Sequence, residues 1–456
     1  MLHDAMVLQK KSFAGAWEGK FGTEEYEAVM SKRKDVAITV DFEEGENRVM
    51  SGAEIHKLVF DSNMPWMLSS NGTIFTTEFE GIIPGILKRW YTERKELQAQ
   101  LKKAKDAGNK IEIEYWDKRQ LVKKINLNSL YGALANQYFR FYDDDIAEGI
   151  TMTGQLVIRD TAKALDNYMN KVCGTEDEMY SFYSDTDSCY VTCKNLVENF
   201  FPDKDTDKVV ELLDKIGTDK IEPAIDQAMS KLANYTNAFE NKIFFKREVI
   251  ADKGIFVAKK RYALNVLDDE GLRLTKAKLK VMGLEIVRSS TPGPIRESLR
   301  EAVRLILTST QEELHTFIDN TKQDFHNMKA EDIAFPRGCN NMAKYHSTAD
   351  IYSKGTPIHV RGGLLYNYYV NKLELNLKYE QIQEGDKIKF LYLKEPNPLK
   401  ENTVAFVTKL PKEFGLKKYV DYDLVFQKAF LDPLSNILNP IGWHTEPQAT
   451  LEDLFA

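Results

Sequence analysis

The sequence predicts an α+β protein in which a mostly antiparallel sheet is combined with helical modules, and three observations carry that prediction. Two long charged helical patterns, from about Pro84 to Asp106 and from about Ile111 to Tyr131, are separated only by a Gly108-Asn109 turn. They read as a long antiparallel helical hairpin. Met179–Cys193 consists of two β-branched and aromatic runs around a short polar turn, the pattern of a β-hairpin. From Pro292 onward helical periodicity dominates, interrupted near Pro336–Gly338 and Gly355–Pro357.

The other elements follow in order. A strand is expected around Val36–Val40, helices over about Asp145–Val172 and Thr206–Ala233, and strand-like segments at Lys242–Val249, Gly254–Val266 and Lys278–Glu285. With 456 residues, 43% of them hydrophobic, the chain can build two or three domains with their own cores. No apolar run reaches the ~18 residues of a membrane span, so no membrane partner is expected. The start, MLHDAMVLQKKSF, has no apolar stretch followed by a small-residue cleavage site, so no secretory signal is read. Cys173, Cys189, Cys193 and Cys339 lack zinc-ligand spacing and fit free thiols in a reducing cytoplasm.

The formal net charge is −7, yet basic residues cluster at Lys102-Lys103-Lys105, Lys123-Lys124, Lys259-Lys260-Arg261 and Arg273-Lys276-Lys278-Lys280. Binding of a polyanion depends on such clusters more than on net charge. Tyr183-Ser184-Asp185-Thr186-Asp187-Ser188 places two carboxylates on one tight turn between rigid strands. Two-metal phosphoryl transfer needs shared carboxylates of this kind, with the ions ~3.5–4 Å apart. Magnesium suits such a sparse oxygen set, because substrate phosphates complete its shell. An isolated D-x-D is equally the signature of a plain Asx-turn. On the second helix of the hairpin Lys124, Asn128 and Tyr131 stand at i, i+4 and i+7 and share one face. A lysine there can meet triphosphate oxygens and an aromatic can pack on a base; a solvated basic face has the same pattern. Arg94 and Lys95 on the preceding helix add cations.

Asn128-Ser129-Leu130-Tyr131-Gly132, followed about fifty residues later by Tyr183-Ser184-Asp185-Thr186-Asp187-Ser188, resembles the second and third motifs of the family B DNA polymerases. Lys259-Lys260-Arg261-Tyr262 resembles the family's K-K-R-Y element on primer–template. Val281-Met282-Gly283-Leu284-Glu285 and Ser289-Ser290-Thr291-Pro292 resemble the approach to its thumb, and Lys246-Arg247-Glu248 a palm element whose carboxylate lies near the metals. Asn340-Asn341, Ala343-Lys344-Tyr345, His359, Arg361 and Gly362 resemble a DNA-contacting stretch of the thumb in the T-even-type phage branch. Ser70-Asn71-Gly72 through Pro84 to Arg94-Lys95-Glu96 resembles the same branch approaching the fingers.

The resemblance implies a partial palm at 1–80, fingers at 81–136, palm at 137–285, thumb at 286–444 and a flexible tail at 445–456. It implies DNA-directed DNA synthesis with two Mg²⁺ ions, or Mn²⁺ in their place. Asp187 would be the principal metal ligand, with Asp185 beside it and Glu248 near. Arg94, Lys95, Lys124 and Asn128 would hold dNTP, and Tyr131 would pack by the nascent pair. Lys259, Lys260, Arg261, Tyr262, Lys280, Gly283, Lys344, His359 and Arg361 would contact primer–template DNA. Leu451, Leu454 and Phe455, at i, i+3 and i+4, would plug into a sliding clamp. The location implied is the cytoplasm of an infected bacterium.

Three departures stand out. Ser184 replaces a glycine, and Gln98 stands where many relatives place a second phosphate-binding lysine. The first motif, D-x-x-S-L-Y-P, and the 3′–5′ exonuclease motifs occur nowhere in the sequence. Phe13–Phe21 resembles the segment just after that first motif, so the chain is expected to begin inside the palm. The expected arrangement is a heterodimer, in which an N-terminal polymerase/exonuclease subunit brings the missing aspartate. A non-catalytic DNA-gripping subunit and a truncated polymerase fragment are the rival expectations.

Overall fold

The computed structural model describes residues 35, 37–40, 48–51, 53, 54, 57, 65–71, 73–348 and 350–447. The chain forms two compact units, residues 1–247 and 248–456.

In the first unit, short antiparallel pairs join β1 (Ala37–Val40) to β2 (Arg48–Ser51) and β3 (Trp66–Leu68) to β4 (Ile74–Thr76). The expected helical hairpin follows as α1 (Ile82–Asp106) and α2 (Lys110–Leu134). Gly108 takes φ +65° in the turn, and the Asn109 side chain accepts from the Glu112 amide at 3.3 Å to cap α2. The buried residues of α1 are Leu101 and Ala104, and that of α2 is Leu134. Polar pairs between the two helices supplement this thin apolar seam: Lys123 with Glu93, and Arg94 Nε donating to Gln120 Oε1 at 3.4 Å.

The longest helix, α3 (Asp144–Cys173), is capped by Asp143, which accepts from Ile146 N at 2.9 Å, and ends at Gly174 with φ +68°. Its apolar stripe, Val157, Leu165 and Met169, packs on two sides. Ile225 and Met229 of a second helical segment meet Val157 and Leu165, and Tyr180 and Leu196 meet Met169. The hairpin of β5 (Ser181–Asp185) and β6 (Ser188–Val191) lies against α3 and leads into α4 (Lys194–Phe200). The second helical segment is continuous as expected, but it is built as α5 (Thr206–Ile216), a π-helical turn at Gly217–Ile221 and α6 (Glu222–Tyr235). A Cβ on Gly217 would come 3.5 Å from the Arg247 side chain, so the turn sits close under that residue.

The strand expected over Lys242–Val249 is not formed, because strand structure begins only at Val249. The physical reason is a buried carboxylate. Glu222 accepts from the Arg247 amide at 3.0 Å and from Lys246 Nζ at 2.7 Å, so a side chain takes the place of a ladder partner.

The second unit opens with a three-stranded antiparallel sheet in the order β7 (Val249–Ala258), β8 (Arg261–Asp269), β9 (Leu272–Met282). What reads in sequence as one strand, Gly254–Val266, is two strands around a Lys259-Lys260 turn. The segment read as Lys278–Glu285 ends at Met282 and gives way to a 3₁₀ turn at Glu285–Val287. Ile255, Ala263 and Leu284 from this region share one core with α7 (Gly293–Thr308) and α8 (Gln311–His326), and with Phe325, Phe406, Phe426 and Phe430. Burying each such ring contributes roughly 1.5–3 kcal/mol. Helix does not dominate without interruption after Pro292. A second sheet, β10 (Phe335–Gly338), β13 (Lys387–Tyr392) and β14 (Thr403–Phe406), runs through the core, and a two-residue pair joins β11 (His346–Ser347) to β12 (Ile351–Tyr352). Helix α9 (Ile358–Lys372) lies directly on β14, where a Cβ on Gly362 would meet the Ala405 amide at 2.9 Å. Among the described residues no helix is long and apolar enough to cross a membrane.

Candidate functional site

The carboxylate turn is a two-residue hairpin loop in which Asp185 pairs with Ser188. Thr186 has φ +58°, and the Asp187 amide donates to the Asp185 carbonyl at 2.7 Å, an i→i+2 bond around a positive-φ residue. That is the strained form of γ-turn. A β-branched residue in this region is an outlier of the kind that clusters at functional sites. The Thr186 hydroxyl donates to Asp185 Oδ1 at 3.1 Å and the Ser188 hydroxyl to the Asp185 carbonyl at 3.2 Å. Asp185 is half-buried and Asp187 exposed. Behind them the Tyr183 and Tyr190 rings face each other across the strands at 5.4 Å and stiffen the stem.

On the helical hairpin, Lys124, Asn128 and Tyr131 are all exposed on one face of α2. Arg94 is half-buried, held by Gln120, while Lys95 is exposed with its ammonium 5.3 Å from the Tyr91 ring. Gln120 is the residue sequence reasoning missed. It lies one turn before Lys124 and extends the same stripe, so helical periodicity was the signal that could have found it. Its amide nitrogen donates to Asp117 at 3.0 Å, which orients the oxygen that receives Arg94.

In the second unit Lys259 and Lys260 occupy an exposed turn between Ala258 and Arg261, with Lys260 at φ +61°. Gly283, at φ +63°, lies against it; a Cβ there would stand 2.0 Å from the Lys260 carbonyl, so only glycine fits. Arg261 donates through Nη2 to both Glu285 oxygens, at 3.0 and 2.8 Å. Tyr262 is 4% exposed and stacks on Phe256 at 5.2 Å, which makes it part of the sheet's core. Lys280 donates to Glu248 at 3.2 Å. Lys344 is exposed beside the Tyr345 ring, and Arg361 pairs with the Asn402 side chain with its guanidinium 5.6 Å over Tyr352. Burial, helped by the Arg337 charge, holds the His359 imidazole below its ordinary pKa of 6.5. Leu451, Leu454 and Phe455 lie outside the described residues.

Asp185 and Asp187 belong to the first unit and Glu248 to the second. Among the described residues no group of three or more His, Cys, Asp or Glu side chains could hold a metal ion. The donor set at the turn is two carboxylates, hard oxygens with room for more ligands. It fits magnesium bound together with substrate phosphates and does not fit a closed protein cage.

The profile of DNA polymerase family B matches residues 38–200 and 204–441. The chain is 37% identical over 350 residues to the DNA-directed DNA polymerase of Enterobacteria phage T4, and 36% identical over 351 residues to that of Escherichia phage RB69. Each match covers 74% of this chain, which spans 38% of the length of either phage enzyme. A DNA polymerase of Pyrococcus glycovorans is 30% identical over 236 residues, covering 51% of this chain and 25% of its own length. The chain belongs to DNA polymerase family B.

Proposed function

We propose that this chain carries the polymerising part of a DNA-directed DNA polymerase, which adds dNTP to a primer 3′-hydroxyl under template direction. The observation that carries the proposal is the strained, stiff-stemmed turn that displays Asp185 and Asp187. Gripping DNA alone needs no such turn. Asp187, with Asp185 beside it, holds magnesium, which when bound supplies positive charge to the reacting oxygens. Glu248 is the third carboxylate proposed near the ions. Lys124 and Arg94 bind the triphosphate, with Lys95 as a supplementary cation in place of the lysine replaced by Gln98. Asn128 orients the nucleotide and Tyr131 packs against the nascent pair. Lys259, Lys260 and Lys344 meet the DNA backbone as exposed cations.

Two carboxylates on one turn cannot surround two ions. The aspartate of the family's first motif, absent from these 456 residues, must come from polypeptide outside them. We take its source to be a separate N-terminal chain, which also brings the exonuclease, in a heterodimer working in the bacterial cytoplasm. The test is primer extension by the full chain with and without that N-terminal polypeptide. Alone it binds primer–template and does not extend it; together they extend. Robust synthesis by the chain alone contradicts the divided site, and no synthesis by the pair makes the chain a DNA-binding subunit only.

The apolar trio Leu451, Leu454 and Phe455 is proposed to anchor the enzyme to a ring-shaped clamp, which makes rebinding effectively intramolecular. Deleting residues 449–456 then leaves extension on short templates unchanged and removes the added product length that the clamp confers. Equal product lengths with the clamp would make the tail structural.

A further inference from the structure

We propose that Asp166 and Asn170, one turn apart on α3, are positioning residues that fix where the Asp185/Asp187 turn stands; this rests on the role assigned to that turn above. Asn170 grips both polar groups of one backbone residue, accepting from Glu178 N at 3.1 Å and donating to Glu178 O at 2.8 Å. Asp166 takes the next stretch. Its Oδ1 accepts from Tyr180 N at 2.9 Å and Ser181 N at 2.7 Å, and its Oδ2 accepts from the Ser181 hydroxyl at 2.9 Å.

The four-residue spacing puts Asn170 and Asp166 about 6 Å apart along α3, so the helix holds the incoming chain at two places, residue 178 and residues 180–181, just before and at the start of β5.

This external grip is needed because one cross-strand ring pair and a two-residue loop are little to fix the register of so short a hairpin. The β5–β6 register is irregular between Ser181 and Tyr183, and β6 has four residues. In a short, irregular ladder, a slip by one residue turns every side chain to the other face, both catalytic carboxylates included. The turn also holds Thr186 at φ +58°, and strain of this kind persists only where the surroundings over-determine it. A carboxylate that accepts three hydrogen bonds is a strong external constraint. Tyr180 is pinned further by its hydroxyl, which lies 2.9 Å from Thr175 Oγ1 and receives Asn195 Nδ2 at 3.2 Å.

The experiment compares Asp166→Ala, Asp166→Asn and Asp187→Ala. Hydrogen exchange over residues 179–191 is measured in the isolated full chain, and magnesium-dependent extension in the chain combined with its N-terminal polypeptide. Asp166→Ala speeds exchange across the hairpin by about tenfold or more. It lowers kcat by between about tenfold and a hundredfold, the scale of a small misplacement of reacting groups. It moves KM for dNTP and for primer–template by less than about threefold, and it raises the magnesium concentration needed for half-maximal rate. Asp166→Asn keeps Oδ1 for both amides and offers its amide to the Ser181 hydroxyl, which can accept. It restores exchange and kcat to within about threefold of the parent.

The proposal is overturned if Asp166→Ala leaves exchange and kcat within about twofold, or if Asp166→Asn is as impaired as Asp166→Ala. If Asp166→Ala does not fold, Ser181→Ala and Asn170→Ala, which remove fewer bonds, carry the same comparison. Unchanged exchange in both overturns the proposal. Asp187→Ala separates the two levels: if it still extends primers, the role of the turn is wrong, while the exchange data still decide what Asp166 holds.

Discussion

Two tight hairpins of opposite charge offer the most instructive comparison in this molecule. In the first unit Thr186-Asp187 close a loop between Asp185 and Ser188; in the second Lys259-Lys260 close one between Ala258 and Arg261. Each loop holds a non-glycine residue at positive φ, Thr186 at 58° and Lys260 at 61°. Such a residue costs of order 1–3 kcal/mol. The means of support differ. Side chains of a neighbouring helix grip the stem of the acidic turn. The basic turn is seated on bare backbone, with Gly283 so close that no side chain fits, and with Arg261 Nη2 donating to both Glu285 oxygens. One strained turn can be stabilised by supplying a side chain, and another by removing one. The charges suit the proposed roles, carboxylates for an ion at the reacting atoms and ammonium groups for a phosphate backbone.

The comparison makes Gly283→Ala the most damaging single change on the basic side. Its Cβ would overlap the Lys260 carbonyl at 2.0 Å. A loss on the order of 3 kcal/mol or more is expected, seen as a lower denaturant midpoint, together with weaker primer–template binding in a fluorescence anisotropy titration. An unchanged midpoint and affinity would remove the claim that this turn is seated on backbone. Lys124→Ala is expected to have a smaller effect and a different target. It should weaken dNTP binding by about tenfold, roughly 1.4 kcal/mol, with DNA affinity little changed in the same assembled enzyme. An effect confined to DNA affinity returns Lys124 to the role of a solvated basic surface.

These two hairpins also mark where sequence reading succeeds and fails. The acidic turn was legible because Asp185-Thr186-Asp187-Ser188 interrupts two β-rich runs with polar turn chemistry. The basic turn was not. Val257 through Ala263 contains no Gly, Pro, Asn or Asp, and the glycine that makes room for it comes over twenty residues later. The helical hairpin was legible, because two long periodic patterns flank Gly108-Asn109 and periodicity alone aligns Lys124, Asn128 and Tyr131. Gln120 escaped notice because its value lies in Arg94, which is 26 positions away. Residues 242–248 read as a strand in sequence, but the Arg247 amide is taken by Glu222, a helical residue 25 positions earlier that no local pattern brings to it. Thr403–Phe406 was hidden for a different reason. All four of its residues are buried, so it shows no alternation, and a short apolar run cannot be told from helix by pattern.

The central claim is that the acidic turn acts on chemistry and the basic turn on grip. It is tested most directly by single-turnover extension with the assembled enzyme, titrated with primer–template up to saturation. The variants are Asp187→Ala and the double change Lys259→Ala/Lys260→Ala. Saturating DNA should bring the lysine variant back to within about threefold of the parent rate and leave Asp187→Ala slower by about a thousandfold or more, about 4 kcal/mol in barrier. If saturating DNA rescued Asp187→Ala to within about tenfold, roughly 1.4 kcal/mol, or failed to rescue the lysine variant, the division of labour between the two turns would be wrong.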